Sequence, residues 1–159
     1  VIMLVCIDNR SGEQLPEEEL EELALFVLQD QDAPENLELS LSFVTADEIR
    51  QLNFDFRGKD AATDVLSFEC DDLADAELNV LKPEVFLLGD IVIAPSIARQ
   101  HALDFGSTLK QELFLIETHG ILHLLGYDHL VDADAEAMEA QEDRLLAAWA
   151  QYLNKKADG

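Results

Sequence analysis

The sequence predicts an α+β fold, a small mixed four-stranded sheet packed with about five helices. Three observations predict it. Residues 37–44, LELSLSFV, alternate strictly between apolar and polar, the mark of a half-buried strand. Residues 86–94, FLLGDIVIA, are apolar almost throughout, as in a strand covered on both sides. Everything after Pro95 then carries helical spacing, so strands and helices are partly segregated along the chain.

The elements follow in the order β-α-β-α-β-β-α-α-α. IMLVCI (2–7) reads as a short buried strand. Pro16 opens a helix, followed by Glu17, Glu18 and Glu19, whose charges suit a helix N-terminus. Leu20, Leu23, Ala24, Val27 and Leu28 form one apolar stripe along it. After the alternating strand, Thr45 and Glu48 make a capping box for a helix reaching about Phe56, with Ile49 and Leu52 turned inward. RGKDAATD is a polar loop, VLSF (65–68) a short strand, and the acidic stretch 69–84 an irregular connection. One helix spans roughly 95–105 and stops at Gly106. The next, from about Thr108 to Leu125, is apolar on most sides and should be the central buried helix. A last helix from roughly Asp132 to Leu153 lines up Met138, Leu145 and Trp149.

The 159 residues fit a single domain, 1–159, with neither repeats nor an internal linker. No run reaches the ~18 apolar residues of a membrane span, and no basic-then-apolar export signal stands at the start. Two cysteines, Cys6 and Cys70, are too few for a disulfide framework or a thiolate metal site, so a reduced, cytoplasmic protein is expected. Thirty-four acidic residues against ten Lys plus Arg leave a net charge of −24. Such a surface serves solubility and repels nucleic acid over most of its area. Any binding of a polyanion must come from a local positive site.

The chemistry is concentrated in THGILHLLGYDH (118–129). A single histidine on an apolar face is usually a hydrogen-bonded core residue, but here there are three. His119 and His123 are four apart and share one helix face. On an unbroken helix His129 would point away, about 240° round from His123. Gly126 removes that obstacle, because glycine ends helices in a left-handed conformation and lets the chain fold back. The pattern thus aims three imidazoles at one point. Three neutral nitrogens and one vacant position match catalytic zinc, one ion per chain. Such an ion keeps its double charge, acidifying water and polarising a substrate oxygen.

Metzincin proteases share this spacing, as H-E-x-x-H-x-x-G-x-x-H. Here Gly120 replaces the glutamate that serves as their general base, which excludes peptide hydrolysis by that route. Glu117 lies on another helix face and is no direct substitute.

Taken with FRGKDAATDVLSF (56–68) and LGDIVIA (88–94), the segment HGILHLLGYDH (119–129) resembles the YbeY family of metal-dependent bacterial endoribonucleases. The resemblance runs from about Phe43 to Leu146. It implies an α+β fold with the metal at the end of a cleft. It also implies a zinc-dependent, single-strand endoribonuclease acting in 16S rRNA 3′-end maturation and ribosome quality control. The partners implied are single-stranded ribosomal RNA and the small ribosomal subunit with its associated factors, away from any membrane. On this resemblance His119, His123 and His129 are the metal ligands and Arg57 is the catalytic residue. Phosphodiester cleavage builds charge on non-bridging oxygens, and a guanidinium can grip two of them. Lys59 adds a point charge or is simply a solvated loop residue. Asp64 and Ser67 are expected to tie loop to strand. Asp90 is a fold residue or lines the cleft, and Asp128 orients a metal imidazole. His101 is expected to be merely exposed.

Two other readings stand beside the nuclease. One is a metallohydrolase with a different substrate, and the other a ribosome-associated accessory protein whose metal is mainly structural. Three protein ligands favour catalysis over a closed structural site. The attacking group, activated water or a ribose 2′-hydroxyl, is left open by the sequence.

Overall fold

The alternation of the second strand decides which side of the sheet is dry. In the computed structural model, which describes residues 3–70, 85–127 and 132–158, β2 (Leu37–Phe43) buries Leu37, Leu39, Leu41 and Phe43 and leaves Glu38, Ser40 and Ser42 half-exposed. Around it lie β1 (Leu4–Asn9), β3 (Val65–Glu69) and β4 (Phe86–Ile93), in the spatial order β1-β2-β4-β3. β1 and β4 run parallel to β2, and β3 runs antiparallel to β4, which makes a mixed, open sheet. β4 is therefore central, as its apolar composition requires.

Five helices are described: α1 (Glu17–Asp30), α2 (Ala46–Arg57), α3 (Pro95–Phe105), α4 (Leu109–Leu124) and α5 (Asp132–Asp158). The dry face of the sheet packs against α1, α4 and α5 through Leu23, Val27, Leu113, Ile121, Met138 and Leu145. Trp149 keys these helices together, with ring centroids 5.5 Å from Phe26 of α1 and 5.9 Å from Phe114 of α4. A smaller cluster of Val44, Ile49, Leu66, Val92 and Ala94 seats α2. None of the described helices is long and apolar enough to cross a membrane.

The differences from the sequence reading have local causes. β1 begins at Leu4 and runs to Asn9 rather than over 2–7, and it is an edge strand with Val5 its one fully buried residue. Pairing with β2 carries Asp8 and Asn9 into the ladder despite their polarity. The box at Thr45 is half made. Its hydroxyl accepts from the Glu48 N–H at 3.2 Å, but the Glu48 carboxylate is drawn off to Arg10, 2.6 Å away. A complete box instead opens α4, where Thr108 and Gln111 cap each other. α5 continues past Leu153 to Asp158, and Lys156 in this last part pairs with Glu22 of α1 at 2.7 Å. Most of the acidic 69–84 connection, and His129 with Asp128, fall outside the described residues.

One core position breaks the apolar rule. Glu117 of α4 is wholly buried, and its two carboxylate oxygens have no partner among the described residues. Burial pushes its pKa well above the usual carboxylate range. A carboxyl held neutral in this way lets the fold keep full stability only below its unfolded pKa of about 4.3, and stability drains as pH climbs toward the raised value. Glu117→Gln is expected to gain stability relative to the wild type as pH rises from acid to neutral. Urea unfolding at several pH values should show that gap opening from acid to neutral, and parallel profiles would refute the buried neutral carboxyl.

Candidate functional site

A missing side chain positions the site. A Cβ on Gly120 would lie 3.1 Å from Ile91 Cδ1, 3.2 Å from Ile91 Cγ2 and 3.4 Å from Ser67 Oγ. A larger residue would make the Ile91 side chain give by a few tenths of an ångström for α4 to settle this closely on β3 and β4. The position where a metzincin carries its catalytic glutamate is here filled by packing against the sheet. His119 and His123 flank that contact, both half-buried. They stand about 6 Å apart along the axis and about 40° apart around it, so they share one side of the helix.

Directly after His123 the helix is closed by a Schellman turn. The Gly126 N–H donates to the His123 carbonyl and the Tyr127 N–H to the Leu122 carbonyl, each at 3.1 Å. Gly126 has φ +107°, a conformation costly for any other residue. The helix is thus closed at Gly126, and Asp128 and His129 beyond it lie outside the described residues.

The sequence reading missed Glu142 of α5. Its carboxylate meets the Nδ1 of His119, while the residue itself is 9% exposed. The hydrogen bond to Glu142 raises the proton affinity of His119 above the ordinary imidazole value. Burial opposes this, and the charges of Glu142 and Asp64 add to it. An imidazole whose Nδ1 faces a carboxylate ligates metal through Nε2, the pairing found behind metal-bound histidines. The donor set therefore suits a metal. A signal for Glu142 was present in the chain: it sits in the stripe Met138, Glu142, Leu145, Trp149, the one acid among apolar positions.

Arg57 ends α2, and Gly58 (φ +70°) turns the chain out of the helix. The loop beyond it is strapped to α2. Asn53 Nδ2 donates to the Ala61 carbonyl at 2.9 Å, and Arg50 pairs with Asp60 at 2.6 Å. Most cations are used in this way: Arg10 with Asp8 and Glu48, Arg99 with Glu13, Lys110 with Glu19, Arg144 with Asp30 and Lys156 with Glu22. Among the described residues Arg57, Lys59 and Lys155 are exposed and enter no ion pair, Arg57 and Lys59 together at the end of α2 and Lys155 near the end of α5. Next to Arg57, Phe56 is 68% exposed and meets Phe68 edge-on, with centroids 5.3 Å apart. β3 is the shared element, since Phe68 carries Phe56 while Ser67 underlies Gly120.

Two expectations are revised. His101 was read as an exposed bystander, but its Nδ1 is 3.4 Å from Asp64 Oδ2. One ligand-type atom each from Asp64, His101 and Glu112 all lie within 4.8 Å of one another, a group able to hold a metal. Asp64 was expected to bond backbone, and its side chain instead meets His101 and the hydroxyl of Thr63. Sequence spacing could not reveal this, since the three come from separate elements. Asp90 is exposed on β4.

In metal-free protein, the raised pKa of His119 means that its pairing stabilises the fold fully below the unfolded value of about 6.5 and is lost as pH rises through the raised value. The wild type should exceed Glu142→Gln in stability by the widest margin near pH 6, the margin narrowing by about pH 9. Chemical denaturation at those two pH values measures it, and an identical margin at both would remove the pair as the cause.

Residues 6–150 match the family model described as "Endoribonuclease YbeY". A protein of that name from Exiguobacterium sibiricum is 39% identical over 149 residues, covering 91% of this chain and 94% of the relative. The Bacillus subtilis protein of the same name is 35% identical over 150 residues, covering 92% and 96%. That from Desulfitobacterium hafniense is 44% identical over 113 residues, covering 71% and 72%. The solution structure of a Thermotoga maritima protein superposes with a TM-score of 0.63 at 26% identity, covering 98% of this chain and 96% of that one. With most of the chain matched by the family model and by close relatives, it belongs to the YbeY endoribonuclease family.

Proposed function

We propose that this chain is a zinc-dependent, single-strand endoribonuclease. Its role is maturation of the 3′ end of small-subunit ribosomal RNA and ribosome quality control, performed in the cytoplasm by one domain spanning 1–159. The family makes it an RNA-cleaving hydrolase, and the finer assignment rests on the residues. The observation that carries it is the exposed pair Arg57 and Lys59, unpaired among the described residues of a chain with net charge −24 and set beside an exposed aromatic ring.

His119, His123 and His129 would hold the ion, with Glu142 fixing the His119 tautomer from behind. Zinc in such a set supplies a Lewis acid for a phosphate oxygen and lowers the pKa of water toward neutrality. Arg57 grips two non-bridging oxygens and stabilises the charge that develops there, a bidentate role Lys59 cannot take. Lys59 supplies a point charge along the strand. Phe56 offers a base an aromatic face, which makes the grip tolerant of sequence and selective for unpaired strands. The small ribosomal subunit and its factors bring the RNA to an otherwise repulsive surface.

His123→Ala should reduce bound zinc from one ion per chain to near none while near-ultraviolet circular dichroism stays native. Equal occupancy in both proteins would refute the ligand set. Arg57→Ala should keep metal and fold yet slow cleavage of a single-stranded ribosomal RNA fragment by roughly 100- to 1,000-fold. Unchanged cleavage would strip Arg57 of its role.

A further inference from the structure

Apart from the imidazole pair, donors converge from three elements: Asp64 in the turn before β3, His101 on α3 and Glu112 near the start of α4. Each is partly buried, and one ligand-type atom from each lies within 4.8 Å of the others. Backbone features bring them together rather than their own attraction. The Ala94 N–H holds the Asp64 carbonyl at 2.9 Å. Gly106, at φ +72°, ends α3, and the Thr108–Gln111 box starts α4, so a short joint sets the angle between the helices carrying His101 and Glu112.

The carboxylate of Glu112 has no cationic partner and makes no side-chain hydrogen bond among the described residues. The neighbouring cations are committed elsewhere, Arg99 to Glu13 and Lys110 to Glu19. Two carboxylates and one imidazole are thus held close together, His101 facing Asp64 at 3.4 Å, with no Lys or Arg paired to either acid among the described residues.

The donor chemistry narrows the ion. Two carboxylate oxygens and one imidazole leave about half an octahedron for water. Calcium calls for more oxygen ligands, and magnesium takes few donors other than oxygen. A single nitrogen with hard oxygens suits Mn²⁺. Glu112 and His119 are seven residues apart on one stripe of α4, about 10 Å along the axis. The charge of Asp64 is felt at His119, so the two donor sets are neighbours along one side of α4. We infer that Asp64, His101 and Glu112 form a second cation site, which takes one hydrated divalent ion of the Mn²⁺ type.

The test uses the full chain carrying His123→Ala, stripped with chelator and titrated with Mn²⁺ alone, the free ion being read by electron paramagnetic resonance. The expected result is one saturable Mn²⁺ per chain, with affinity falling at least tenfold on adding Glu112→Gln or His101→Ala. Glu112→Gln is nearly isosteric and decides the matter if His101→Ala misfolds. No saturable Mn²⁺, or affinity unchanged by Glu112→Gln, would overturn the site and leave a hydrogen-bonded polar cluster. Because His123→Ala already disables the imidazole set, a wrong reading of that set alters the wild-type metal count but not this one.

Discussion

The close seat of α4 on the sheet at residue 120 is the constraint on which the candidate site depends. α4 rests on Ile91 and Ser67 at that point, and every site residue on the helix takes its position from this contact. With Gly120 against the sheet, the turn of the helix puts His119, His123 and Glu112 along one side and drives Glu117 into the core. The same approach lets α5 cover the helix from outside, so that Glu142 reaches the ring of His119. The packing that denies this chain a protease-like glutamate is thereby the packing that aims its imidazoles.

Electrostatics supply the second constraint. A chain with 34 acids and ten Lys plus Arg has few cations to spare, and the fold binds most of them in surface pairs between elements. Such pairs contribute little stability each, yet they take those cations out of play for a polyanion. Arg57 and Lys59 form a neighbouring unpaired couple because the loop that carries them is anchored by Arg50, Asn53 and Asp60 instead. A small positive point on an acidic body favours local, oriented contact over broad adhesion.

Much of this was legible in the sequence, and the reasons are particular. Leu37 to Phe43 alternate, so their burial follows from a period of two, and Leu20 to Leu28 follow from a period near 3.6. The turn at Gly126 could be read because glycine has a distinct backbone role there. What escaped was anything set by tertiary approach. Glu142 lies 23 residues from His119, and only the apolar stripe around it hinted that an acid was turned inward. His101 looked like an exposed side chain on a polar helix until α3 folded against the Asp64 turn. The Glu48 carboxylate left its capping box for Arg10, a residue 38 positions away that local spacing does not register.

The central claim is that this scaffold gathers imidazoles, not carboxylates, around its principal ion. X-ray absorption at the zinc edge, on protein loaded with one equivalent, tests it most directly. The account predicts a shell of about three imidazole nitrogens near 2.0–2.1 Å with one further light atom from solvent. A shell made mostly of carboxylate oxygen with a single imidazole would contradict it, placing the ion instead with Asp64 and Glu112.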